Sequence, residues 1–150
     1  MKKYFKYLNC VLLILMVFTL VACDTRGRPN DNTPDSPYEG QLRLNNWNEL
    51  PGVNQSGIWL VYYYSPLCAP CMAIQDDILG FAKHYGDDIP MYFADATHGF
   101  SGNPPTTGIQ GTPTILVMND SQFIELVVGA NPIVNLLSSL ANETYELPLG

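Results

Sequence analysis

Seven consecutive residues, Ile58 to Tyr64, constrain the fold of this chain more than any other segment. All seven are aliphatic or aromatic, and no charged or small polar residue alternates with them. Such a run is typical of a strand buried on both faces, as in the sheet of an α/β protein. Residues 65–67 read Ser-Pro-Leu and end the run, and residues 68–71 read Cys-Ala-Pro-Cys. The sequence therefore predicts a buried strand that leads within three residues into a Cys-x-x-Cys motif.

The rest of the chain after Gly40 predicts further elements of an α/β domain. Apolar residues recur at helical spacing behind the motif, at Ile74, Ile78, Phe81, Ala82 and Tyr85. They predict an amphipathic helix that ends at Gly86. Further strands are predicted at 42–44, 89–94, 114–118 and 123–128, the last two forming a hairpin, with helices around Trp47 and from Asn131 onward. One domain is therefore expected over residues 40–147.

The first 22 residues have the pattern of a targeting segment. Lys2, Lys3 and Lys6 precede an apolar run of about 15 residues, fewer than the roughly 20 that span a bilayer as a helix. The run ends in Leu-Val-Ala-Cys at 20–23, which resembles the lipobox of bacterial lipoproteins. This resemblance implies removal of residues 1–22 and a lipid on Cys23. An ordinary secretion signal or an uncleaved helix is the alternative.

A tether is predicted between Cys23 and the domain, over residues 23–39. Residues 24–37 contain three prolines and no aliphatic side chain, so they cannot form a packed core. If residues 1–22 are removed, the domain keeps only Cys68 and Cys71. A disulfide between them closes a loop of four residues and constrains the unfolded chain little, so this pair is expected to serve chemistry rather than stability.

Three features together resemble the thioredoxin family. They are the buried strand running into residues 68–71, the Gly-x-x-Gly-x-Pro-Thr segment at 108–114, and Gly129 followed by a final helix. The resemblance implies a thioredoxin-like α/β fold, with a central mixed sheet flanked by helices. It also implies thiol–disulfide oxidoreductase activity without a cofactor, a cis Thr112–Pro113 bond, and client binding by Thr112 and Pro113. Ala69 and Pro70 are expected to contribute to the same binding surface.

The spacing of the two cysteines suits reversible disulfide chemistry. A disulfide needs Cα atoms about 4.4–6.8 Å apart, and residues three apart in a helix are separated by roughly 5 Å. Cys68, before the first helical turn, faces unpaired N–H groups that favour its thiolate. Cys71 lies one turn inside the helix and is expected to be more buried. We therefore expect Cys68 to attack and Cys71 to resolve.

Two positions depart from the family pattern and bear on the mechanism. Leu67 replaces the tryptophan that commonly precedes the first cysteine, and Tyr62 replaces a buried aspartate that is thought to help deprotonate the resolving thiol. Glu49, Asp95 or water could substitute for that aspartate. The neutral Ala-Pro at 69–70 and the absence of Lys or Arg within ten residues of Cys68 predict a reducing pair rather than a strong oxidant.

A metal site is the sharpest alternative use of the cysteines. Cys68, Cys71 and His84 have the spacing of the first three ligands of a zinc finger. The remaining histidine, His98, lies fourteen residues after His84, where a fourth ligand would be expected four to six residues away. A copper-handling dithiol is a further alternative. We expect no metal and an exposed His98.

Charge limits the partners of this domain. The chain has a net charge of −7, and after Gly40 ten acidic residues stand against Arg43 and Lys83 alone. Such a surface repels nucleic acid. We expect a lipid-anchored enzyme at the extracytoplasmic face of the cell membrane. Its expected partners are exported proteins with thiols or disulfides and a membrane or extracytoplasmic electron donor. The alternatives are an accessory protein of peptide or bacteriocin export that forms disulfides in one client, and a non-enzymatic metal- or client-binding module.

Overall fold

The computed structural model describes residues 36–97 and 100–148. The predictions for residues 1–22, for the lipid on Cys23 and for His98 lie outside the described residues. Within the described part of the chain, no helix has the length and apolar character needed to cross a membrane.

Five strands and three α-helices follow one another along the described chain. The strands are β1 (Arg43–Leu44), β2 (Ile58–Tyr64), β3 (Met91–Asp95), β4 (Thr114–Asn119) and β5 (Gln122–Val128). The helices are α1 (Ala69–Ala73), α2 (Gln75–Tyr85) and α3 (Ala130–Ala141), and a 3₁₀ helix (Trp47–Gly52) follows β1. The single helix predicted after the motif is two helices, because Ile74 leaves helical geometry at φ −110° and ψ 11°.

The strands form one mixed sheet in the order β1-β3-β2-β4-β5. The strands β1, β3 and β2 are parallel, while β4 runs antiparallel to β2 and β5 antiparallel to β4. The mixed sheet flanked by helices confirms the predicted fold class. Because β2 is central, its carboxyl end delivers the Cys-x-x-Cys motif to the middle of one edge of the sheet.

Side chains of β2 alternate between the two faces of the sheet, and both faces are covered. Leu60, Tyr62 and Tyr64 pack with α1, α2 and α3 on what we call the helical face. Trp59 and Val61 pack on the opposite face with residues of the 3₁₀ helix. The four residues from Trp59 to Tyr62 are fully buried. The prediction that this strand is buried on both faces is confirmed.

The domain was expected to start at Gly40, but the packed part of the chain begins earlier. Tyr38, which the prediction placed in the tether, is buried, and its ring lies 4.5 Å from that of Tyr64 and 4.8 Å from that of Phe93. The hydroxyl groups of Ser36 and Tyr64 share a hydrogen bond of 2.7 Å. Tyr38 thus joins the core although its segment is polar, because burying a tyrosine ring removes a large apolar area from water.

Candidate active site

The turn after β2 places Cys68 at the start of α1. The N–H of Cys68 donates to the carbonyl of Ser65 at 3.1 Å, and the hydroxyl of Ser65 accepts from the N–H of Leu67 at 3.2 Å. Cys68 itself has extended backbone angles and caps the helix. Pro70 has no backbone N–H group. It suits the first turn of α1, because N–H groups in a first turn have no acceptor within the helix.

Cys68 and Cys71 are joined by a disulfide in this structure, and their Cα atoms are 5.2 Å apart. The separation agrees with the value of roughly 5 Å expected from helical spacing. The backbone N–H of Cys71 donates a hydrogen bond to Cys68 Sγ at 3.2 Å. The same donor can stabilise negative charge on Cys68 when the disulfide is open.

The two sulfurs differ in access to solvent. Cys71 is 2% exposed and belongs to the apolar core of the helical face, whereas Cys68 is only partly buried at its margin. Ala69 and Pro70 between them are exposed. A partner molecule can therefore reach Cys68 more readily than Cys71.

Pro113 lies at the same edge of the sheet as the motif. The Thr112–Pro113 peptide bond is cis, as predicted. Thr114 begins β4 and pairs with Tyr63, so Pro113 lies level with the last residue of β2. Its carbonyl accepts a hydrogen bond from the N–H of Gly129 at 2.9 Å, which ties together the segments before β4 and after β5. Thr112 is half-buried at the surface of this edge.

Exposed apolar side chains surround this edge of the sheet. Leu67 and Met72, which flank the motif, are 71% and 61% exposed, and Val128, which pairs with Thr114, is 50% exposed. They are three of the six large apolar side chains that are exposed in the described part of the chain. An apolar surface beside a reactive sulfur suits contact with another protein.

Tyr62 lies in the core shared with Cys71 and is completely buried. Its hydroxyl has no hydrogen-bond partner among the described residues. Burial, with a further contribution from Tyr38, raises the pKa of the Tyr62 phenol well above its usual value of 10.0. The phenol therefore stays protonated at physiological pH and does not act as the base that an aspartate would provide.

Neither of the proposed substitute carboxylates is buried beside Cys71. Glu49 accepts a hydrogen bond from the N–H of Asn45 at 2.9 Å and belongs to the 3₁₀ helix, which packs on the opposite face of the sheet. Asp95 accepts a hydrogen bond from the N–H of Thr97 at 2.8 Å at the end of β3. Among the described residues no carboxylate is buried. Neither carboxylate therefore takes the buried position that the family resemblance assigns to the aspartate.

The geometry gives no support to a metal centre in the described ranges. No three side chains of His, Cys, Asp or Glu within residues 36–97 and 100–148 are grouped to hold an ion. His84 uses Nδ1 in a contact of 2.8 Å with the carbonyl of Gly80 on its own helix. The zinc-finger spacing of the sequence therefore does not become a shared site for Cys68, Cys71 and His84.

A Cys-x-x-Cys pair at a helix start, beside a cis-proline on a mixed α/β sheet, defines a protein built for thiol–disulfide exchange. The thioredoxin family model matches residues 41–142. The chain belongs to the thioredoxin family. Membership, together with the Cys68–Cys71 pair, supports a thiol–disulfide oxidoreductase.

Curated relatives and solved structures agree with this assignment. The chain is 29% identical over 94 residues to thioredoxin M2, chloroplastic, of Arabidopsis thaliana, and this match covers 63% of the chain but only 50% of that protein. It is 29% identical over 84 residues to thioredoxin 1 of Synechococcus elongatus, covering 54% and 75% of the two chains. Oxidized mitochondrial thioredoxin 3 of Saccharomyces cerevisiae has a TM-score of 0.56 at 22% identity, covering 71% of this chain and 99% of that one. The structural likeness shows the fold.

Proposed function

We propose that this protein exchanges disulfides with protein clients through Cys68 and Cys71, mainly in the reducing direction. The observation that carries the proposal is the asymmetric pair: a partly buried Cys68 with an N–H donor on its sulfur, and a Cys71 that is 2% exposed. The geometry matches a nucleophile that solvent and client can reach, followed by a protected resolving thiol.

The proposed cycle has two exchange steps. The Cys68 thiolate attacks one sulfur of a client disulfide, which forms a mixed disulfide and releases the other client sulfur as a thiolate. The Cys71 thiol then loses its proton and attacks Cys68 Sγ, which releases the second client sulfur and closes the Cys68–Cys71 disulfide. Two electrons have moved from the pair to the client, and an external dithiol donor must return the pair to its reduced form.

Client binding is proposed at the edge of the sheet that carries both Cys68 and Pro113. An extended client segment can pair with the backbone of Thr112 while its cysteine reaches Cys68. Ala69 and Pro70 are exposed beside this path, and the apolar side chains of Leu67 and Val128 border it. Because these bordering side chains are apolar, apolar client segments fit this path better than charged ones.

Membrane anchoring is proposed for the natural protein. The lipobox-like residues 20–23 and the polar composition of the segment that follows support a lipid on Cys23 and a position outside the cytoplasm. Exported proteins with thiols or disulfides are then the clients. The electron donor is a dithiol protein of the membrane or of the extracytoplasmic space.

Trapping of mixed disulfides tests the assigned roles. Cys71→Ser should accumulate a mixed disulfide through Cys68, because the resolving thiol is absent, while Cys68→Ser should accumulate at least tenfold less. The two variants do not differ at Cys10 or Cys23, so any trapping through those positions is matched between them. Equal trapping by the two variants would show that the roles are assigned wrongly.

Reduction of insulin by dithiothreitol tests the activity itself. Wild-type protein should accelerate the precipitation of insulin chains, and Cys68→Ser should not. A wild type that is no faster than dithiothreitol alone would contradict the oxidoreductase proposal and leave a binding module as the better description.

A further inference from the structure

Met72 is exposed, unlike the other methionines in the described ranges. It is 61% exposed, whereas Met91 and Met118 are 3% and 4% exposed. A thioether reacts with peroxides where solvent reaches it, and burial protects it. Among these three residues, oxidation should therefore be confined to Met72.

Met72 follows Cys68, the residue that caps α1, by one helical turn. The N–H of Met72 donates to the carbonyl of Cys68 at 3.1 Å, so the two residues are one helical turn apart. Residues four apart in a helix are neighbours, and long side chains lean toward the N-terminal turn. The thioether consequently lies over the turn that begins at Cys68, on the path of a client that approaches this sulfur.

Met72 is exposed while the cysteine pair is closed. In the disulfide described here neither cysteine carries a thiolate, which is the form that peroxides attack. Closing the disulfide removes the reactive thiolates but leaves the Met72 sulfur exposed. Peroxide would therefore modify this residue even in protein whose active-site cysteines are oxidised and safe from further damage.

We propose that Met72 is a modification site at which hydroperoxides convert the thioether to a sulfoxide and thereby weaken client binding. The inference rests on the proposed function, since it assumes that clients dock beside Cys68. In the reaction the hydroperoxide O–O bond breaks and an S–O bond forms. The thioether loses two electrons, and the hydroperoxide is reduced to water or an alcohol.

The change at Met72 replaces an apolar contact with a polar group. Methionine sulfoxide is more polar than methionine and disrupts apolar interfaces. Because the affected residue touches the approaching client rather than the exchanging sulfur atoms, the KM for a protein client should rise while kcat changes little. Methionine sulfoxide reductases reverse the modification, so the effect should be reversible.

The experiment treats the full chain, in its disulfide form, with hydrogen peroxide and follows each methionine by peptide mass. The peptide containing Met72 should gain one oxygen atom well before those containing Met91 and Met118. After removal of peroxide, the KM for insulin should rise roughly three- to tenfold, as expected for one lost apolar contact. Treatment with methionine sulfoxide reductases should restore the original KM.

Two variants separate this effect from general damage. Met72→Leu cannot form a sulfoxide, and peroxide should change its KM by less than about 1.5-fold relative to its own untreated sample. Met72→Gln places a polar side chain there and should raise the KM without peroxide. Equal peroxide sensitivity of Met72→Leu, or an unchanged KM after complete oxidation of Met72, would overturn the inference alone. An untreated wild type that does not reduce insulin would instead contradict the proposed function.

Discussion

Tyr62 and Tyr64 stack on each other on the helical face of β2, with ring centroids 5.6 Å apart, yet only one hydroxyl is hydrogen-bonded. Tyr64 Oη shares a hydrogen bond with the hydroxyl of Ser36, whereas Tyr62 Oη has no partner in residues 36–97 and 100–148. Both rings are buried, at 1% exposure for Tyr64 and 0% for Tyr62. The two positions therefore form a matched pair for measuring the cost of a buried, unpaired hydroxyl.

Substitution by phenylalanine should have opposite consequences at these two positions. Tyr64→Phe removes a hydrogen bond and should lower the free energy of unfolding by about 1 kcal/mol. Tyr62→Phe removes a hydroxyl that is buried without a partner, so it should leave the free energy unchanged or raise it by up to about 1 kcal/mol. Urea unfolding of the disulfide form measures both. A loss of stability in Tyr62→Phe equal to that in Tyr64→Phe would show that the Tyr62 hydroxyl is paired.

Alkaline pH should lower the stability of the domain through its buried tyrosines. Burial raises the pKa of Tyr38, Tyr62 and Tyr64 above 10.0 in the folded state. Below pH 10 these phenols are protonated in both states and do not affect stability. Above it the unfolded chain releases protons that the folded chain retains, so each such tyrosine lowers stability by about 1.4 kcal/mol per pH unit until its folded pKa is passed.

The Tyr62 variant also tests this pH dependence. Tyr62→Phe removes one of the contributing phenols, so stability between pH 10 and 11 should fall less steeply than in the wild type. Urea unfolding at pH 8, 10 and 11 gives the slopes, and thiol alkylation checks that the disulfide has survived. Identical slopes for the two proteins would mean that Tyr62 ionises in the folded state as easily as in the unfolded chain.

The reduction potential of the Cys68–Cys71 pair should lie nearer to about −270 mV than to the strong-oxidant value of about −120 mV. The residues between the cysteines, Ala69 and Pro70, are neutral. The first charged residues after the motif along the sequence are Asp76 and Asp77, which are negative and lie in the first turn of α2. Equilibration with dithiothreitol buffers, followed by alkylation, gives the value. A potential near −120 mV would favour disulfide formation in clients.

A histidine between the cysteines provides the matched comparison for this potential. Pro70→His introduces a side chain that can carry positive charge beside Cys68, which should stabilise the thiolate and raise the potential. The shift should shrink at a pH where the imidazole is neutral. A potential that does not change in Pro70→His would mean that charge at this position does not reach Cys68.

Cys23 should carry lipid in bacteria that process lipoproteins. Labelled fatty acid should enter the wild type and be lost in Cys23→Ala, because the thiol is the attachment point. Cys10→Ala is the control and should remain labelled, since residue 10 lies in the segment expected to be removed. A wild type that is secreted without label would contradict the anchoring proposal.

Tyr38 should contribute to stability as a core residue, although it lies in a polar segment. Tyr38→Ala removes a ring that is 1% exposed and should cost about 3–5 kcal/mol, as for other buried aromatic residues. Tyr85→Ala, at a position 37% exposed, should cost much less. Thermal unfolding of the two variants compares them directly. Equal costs would show that Tyr38 does not belong to the core.

The sequence predicted the elements whose patterns are local. The apolar run at 58–64 is a central strand, and the two-strand hairpin at 114–128 is present. The spacing of the cysteines predicted their Cα separation, because three residues of helix determine it. The cis bond before Pro113 followed from the resemblance to a family rather than from any local pattern.

Other features depend on contacts that no local pattern reveals. Tyr38 stands alone among polar residues, so only the tertiary contacts with Tyr64 and Phe93 show that it is buried. Apolar residues keep helical spacing through Ile74 in the sequence, yet the backbone leaves helical geometry at that residue. The unpaired state of the Tyr62 hydroxyl depends on every neighbour around it. These features arise from packing between segments that are distant along the chain. The local spacing of apolar and polar residues does not reveal such contacts.

The attachment of Ser36 and Tyr38 to Tyr64 has a mechanical consequence. If Cys23 is held in a lipid surface, a pull along the chain enters the domain through these contacts, at the strand that ends four residues before Cys68. The thirteen residues from Cys23 to Ser36 reach at most about 45 Å when fully stretched. If the anchor is present, the edge of the sheet that carries Cys68 is thus the tethered end of the domain, and the length of this segment limits how far from the membrane Cys68 can reach a client.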